Sequence, residues 1–131
     1  MSESDMRAID TNVLVRLLAR ADAKQVAAAE LFVEGGAWIS HLVLMEASWV
    51  LTSVYGLAPA SIATAIEMLL SHKSLALEGA EVVAAAVAAF RKRPKVGFSD
   101  CLIVATARKA GHIPVGTFDR ELGKLEDVRR L

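Results

Sequence analysis

Short apolar runs alternate with longer helical ones along the whole chain, and Gly or Pro marks most of the boundaries. No other feature limits the fold as much. Residues 7–10 read as a strand that gives way to a helix over 12–20. Asp22, with Gln25 three positions on, reads as the N-cap of a helix reaching Val33, and Gly35-Gly36 stop it. A second strand over 37–40 is followed by a third helix to Tyr55, closed by Gly56. Pro59 suits the first position of a fourth helix, 59–72. A third strand is expected at 75–78, then an Ala-rich fifth helix at 80–92 that Pro94 ends. A sixth helix at 99–110 stops at Gly111; a fourth strand at 113–116, a short helix at 119–124 and a tail follow. Short apolar strands separated by helices predict an α/β fold, a short parallel sheet flanked by helices in three layers.

The 131 residues suit one domain, with no linker or repeat, and a hydrophobic fraction of 54% supplies a full core. The longest strictly apolar run, Val82 to Phe90, is too short to span a bilayer. The first five residues are polar and acidic, unlike a signal peptide; they read as an extra segment, with Met6 an alternative start. The single cysteine, Cys101, has no internal disulfide partner, which points to a reducing, cytoplasmic setting. Fifteen basic and fifteen acidic residues cancel, so any nucleic-acid binding must rest on local patches.

Four acids interrupt the apolar runs: Asp10, Glu46, Asp100 and Asp119. Asp10 and Asp119 fall at carboxyl ends of predicted strands, where open α/β sheets place their binding crevice. Asp100 falls in the first turn of a helix, where backbone N–H groups favour a carboxylate. Each Asp has a simpler reading as a helix cap. Glu46 has Leu42, Val43, Trp49 and Val50 as helical neighbours, which predicts an acid on an apolar, buried face. Uncompensated burial of such charges costs several kcal/mol or more, and a cation would balance them. Oxygen-only ligands suit Mg²⁺ or Mn²⁺ rather than zinc.

Asp10-Thr11-Asn12-Val13-Leu14, Glu46 after Ser40-His41, Phe98-Ser99-Asp100-Cys101-Leu102 and Thr117-Phe118-Asp119-Arg120 resemble the successive motifs of a PIN domain. The type most resembled is the VapC toxin ribonuclease of bacterial toxin–antitoxin pairs. The resemblance implies a Mg²⁺- or Mn²⁺-dependent endoribonuclease with Asp10, Glu46, Asp100 and Asp119 as the metal site. It also implies support from Asn12 and Thr117, an RNA substrate, a cognate antitoxin and a homodimer. Ser99 departs mildly from the small residue often found before the third acid.

Arg91, Lys92 and Arg93, with Lys95 beyond Pro94, form the most basic segment and are candidate RNA contacts. Arg16, Arg20, Arg108, Lys109 and Arg120 complete a possible rim. His41 reads as structural or solvated, Cys101 as a small buried residue, and Trp38 and Trp49 as core. Competing readings are a Mg²⁺-binding phospho-receiver domain, a non-catalytic binding module and a non-toxin or DNA-directed nuclease. The receiver reading lacks paired acids after the first strand.

Overall fold

The computed structural model describes residues 5–131, so all but the last of the five N-terminal residues set apart above lie outside the described region. The elements run β1 (Arg7–Ala8), α1 (Thr11–Ala19), α2 (Ala23–Val33), β2 (Ala37–Ile39), α3 (His41–Ser53), α4 (Pro59–Ser71), β3 (Leu75–Leu77), α5 (Ala80–Lys92), α6 (Phe98–Ala110), β4 (Val115–Thr117) and β5 (Val128–Arg130). β1, β2 and β3 form one parallel sheet in that order, with Ala8 opposite Trp38 and Trp38 opposite Ala76. β4 and β5 form a second parallel pair, Gly116 opposite Arg129.

The helix boundaries follow local chemistry. Asp22 accepts the N–H of Gln25 at 3.0 Å, as the capping pattern predicts. Ser40 caps α3 by accepting the N–H of Val43 at 3.1 Å. Pro59 opens α4, and Gly111 closes α6 in the left-handed conformation, φ 85°, which glycine adopts without a Cβ clash. The buried core draws Leu14 from α1, Ile39 from β2, Leu44 and Leu51 from α3, Val83 from α5, and Leu102 and Val104 from α6.

Three expectations need correction. The tail contains a strand, β5. The short helix expected at 119–124 is a 3₁₀ turn at Leu122–Lys124. β4 begins two residues later than the strand expected at 113–116, since Pro114 has no N–H to give a ladder.

Candidate active site

β1 and β4 point their carboxyl ends at Asp10 and Asp119. Pairing beside β1 continues one residue, Ile9 donating to the Trp38 carbonyl at 3.2 Å, before Asp10 turns the chain into α1. Glu46 stands in the second turn of α3, and Asp100 in the first turn of α6. α1 packs on α3 and α3 on α6, so three acid-bearing elements are neighbours. Asp119 joins from the β4 side, and its charge reaches Asp100. Burial first, and the Asp119 charge second, push the Asp100 carboxyl above its usual range.

Asp10, Glu46 and Asp119 are exposed and Asp100 is half-buried. The expectation of acids trapped in apolar surroundings is therefore wrong for three of the four. α3 is apolar on nearly every side, so periodicity could not select its buried face. That face is Leu44, Ala47, Ser48 and Leu51, which leaves Glu46 in solvent with Leu42 and Trp49.

Two acids also serve as caps. Asp10 Oδ1 accepts the N–H of Val13 at 3.0 Å, and Asp119 Oδ1 accepts that of Leu122 at 2.8 Å. Thr117 Oγ1 accepts the Asp119 N–H at 3.0 Å, which fixes the backbone at that carboxylate. Asn12 is exposed and lines a groove with Asp10, Arg16 and Gln25. Ser48 Oγ and Ser99 Oγ lie 3.4 Å apart and tie α3 to the start of α6 beside Asp100. Sequence reasoning missed Ser48, a polar residue buried in an apolar helix, and its only signal was that interruption. Among the described residues no three Asp, Glu, His or Cys side chains stand in a ligating arrangement. The donor chemistry nevertheless fits a hard divalent cation. The four acids offer only carboxylate oxygens, and the charge of Asp119 opposes that of Asp100, an opposition a cation would relieve.

The pattern of the PIN domain family matches residues 8–128. The chain belongs to the PIN domain family. PIN domains are in general nucleases and typically use divalent metal ions. No curated protein and no solved structure matches the chain. With the family shown, the phospho-receiver reading falls away.

Four of the nine residues in the expected basic rim of this PIN domain are engaged in ion pairs. Arg91 binds Glu67 through two hydrogen bonds, of 2.7 and 2.8 Å, and Thr64 at 2.9 Å. The fork holds the Glu67 carboxyl below its usual range and ties α5 to α4. Arg20 pairs with Glu30, Arg108 with Asp127 and Lys109 with Glu81. Arg16 bonds Gln25 and the Tyr55 hydroxyl. Lys92, Arg93, Lys95 and Arg120 are exposed, with no ion pair among the described residues.

Cys101 is buried as expected; burial, and then the Asp100 charge, push its thiol up to about 11, so it is no nucleophile at neutral pH. His41 is half-buried and held at Glu78, whose carboxylate accepts the His41 backbone N–H at 2.8 Å. Trp38 is half-buried, whereas Trp49 is 66% exposed, against the expectation of a core residue.

Proposed function

We propose that this PIN domain is a Mg²⁺- or Mn²⁺-dependent endoribonuclease, with Asp10, Glu46, Asp100 and Asp119 holding the metal. The observation that carries the reading is the half-buried Asp100 carboxyl, pushed above its usual range by burial first and by the Asp119 charge second, in a member of a nuclease family. A bound divalent cation would supply Lewis acidity and a water activated near neutral pH. The chain's own residues position the acids. The capping bonds fix Asp10 and Asp119 through one oxygen each and leave the other oxygen for a ligand. The Ser48–Ser99 contact holds the first turn of α6, and with it Asp100, against α3. No histidine or cysteine is required. The purified protein should cleave RNA with Mg²⁺ or Mn²⁺ and stop in EDTA. Cleavage that persists in EDTA, or a preference for DNA, would overturn the assignment.

Substrate contacts fall to Lys92, Arg93 and Lys95, because the Arg91 guanidinium is committed to Glu67. A single-stranded phosphate chain releases counterions with a slope of about −0.7 per neutralised phosphate in log affinity against log salt. Replacing Lys92, Arg93 and Lys95 by Ala should weaken RNA binding and flatten that slope. A triple variant with the wild-type slope would return the run to a solvated helix end.

The same reading makes the protein the toxin of a type II toxin–antitoxin pair, acting in the cytoplasm as a homodimer silenced by a cognate antitoxin. Leu31, Leu42, Met68 and Phe118 are large apolar side chains left exposed, which a partner surface would cover. Among the described residues no helix is long and apolar enough to cross a membrane. Light scattering should give twice the chain mass at micromolar concentration, and expression without the antitoxin should arrest growth. A clean monomer counts against the dimer, and harmless expression against the toxin role.

A further inference from the structure

We propose that the cleft beside Asp100 takes one nucleobase of the substrate strand, stacked on Trp49; this rests on the nuclease reading above. Trp49, Pro59 and Phe98 supply apolar walls of the cleft, and Ser48, Thr52 and Asp100 supply polar ones. Its volume is about 240 Å³. Pockets that enclose a drug-sized ligand hold roughly 300–1,000 Å³, so this cleft admits a ring system rather than a whole nucleotide. Trp49 leaves two-thirds of its surface in water at the cleft wall. An indole there recovers hydration free energy when a flat aromatic group covers it.

The occupant follows from Asp100, which is both a wall of the cleft and a member of the acid pair. A group seated here while a phosphodiester sits at the acids is the base of an adjoining nucleotide. Every base has a π-face, so stacking alone is indifferent to sequence. The polar wall adds a preference. Ser48 Oγ donates to the Met45 carbonyl at 2.8 Å, and Thr52 Oγ1 to the Ser48 carbonyl at 2.9 Å. A hydroxyl has one hydrogen to give, so both are left as acceptors. The Ser48 hydrogen is taken, so Ser99 is the donor in the Ser48–Ser99 contact. Lone pairs are what the wall offers to a ligand. A base carrying an exocyclic amino group fits it better than uracil, whose N3–H is flanked by two carbonyls.

The test uses the full chain carrying Asp10→Asn, to prevent cleavage, and fluorescently labelled oligo(A), oligo(C) and oligo(U) RNA read by anisotropy. Adding Trp49→Ala should weaken binding roughly 5- to 150-fold, the range expected for loss of one stacked base. Trp49→Phe should keep most of the affinity, and Thr52→Val should narrow the preference for oligo(A) over oligo(U). Melting temperatures should not move, since the Trp49 side chain is outside the core. Wild-type affinity in Trp49→Ala overturns the proposal. So does a change in self-association with RNA affinity unaltered, which would make the cleft a protein contact. A Trp49→Ala chain, otherwise wild type, that cuts RNA with undiminished efficiency defeats the cleft alone. A wild-type chain that cuts no RNA defeats the nuclease reading and the cleft with it.

Discussion

Asp100→Asn should reduce RNA cleavage by about 10²–10⁴-fold while leaving the protein as stable as before, or more so. Groups that merely orient metal ligands cost about 10- to 100-fold when removed, so loss of a ligand should cost at least as much. The stability half follows from the sign of the Asp100 shift. Its folded-state pKa is raised by burial and by Asp119, so the ionised carboxyl costs stability above that pKa. The cost disappears as pH falls through it. Asparagine has no charge to desolvate and nothing to repel Asp119. Asp100 caps no helix, the N-cap of α6 being Gly97, so no capping bond is lost. The melting temperature at neutral pH should therefore stay level or rise. Asp10→Asn is the matched control: asparagine caps as well as aspartate, so α1 should persist while activity falls. Undiminished cleavage by either variant would remove the acids from the chemistry. A lower melting temperature in Asp100→Asn would show that the carboxylate stabilises the fold.

The boundaries that were legible in the sequence are those set by local chemistry. Asp22 with Gln25, Pro59 and Gly111 each act within one helix turn, and the helices start and stop where they predict. β5 was illegible because Val128-Arg129-Arg130 carries two charges and pairs in parallel with β4, a partner only the folded chain supplies. The placement of Asp10 and Asp119 after strands and of Asp100 in a first helical turn was legible from the run of elements. The exposure of Asp10, Glu46 and Asp119 was not. Leu42, Val43, Trp49 and Val50 read as a buried face around Glu46, yet Leu42 and Trp49 face water. Helical periodicity reports a face only when the opposite one is polar, and on α3 it is not. The cap reading and the ligand reading of Asp10 and Asp119 do not compete, because a carboxylate has two oxygens and each cap uses one.

Leu102→Ala should cost about 2–5 kcal/mol of stability, the range for truncating a buried leucine whose cavity cannot collapse. Leu102 is 1% exposed on α6, two residues past Asp100, and belongs to the central apolar cluster with Leu44 of α3 and Val83 of α5. Helices on both sides limit how far the site can close. A domain holds only about 5–15 kcal/mol in total, so this one change removes a large share. The melting temperature should drop on the order of 10 °C. Ile103, the next residue, is 44% exposed, and Ile103→Ala should cost far less, nearer the roughly ±0.5 kcal/mol of surface changes. The pair separates the two faces of α6 without touching Asp100. Urea titration of both variants, with unchanged slopes, measures the difference directly. Equal losses would mean that α6 presents another face to the core. The packing that places Asp100 beside α3 would then have to be redrawn, and the active-site assignment with it.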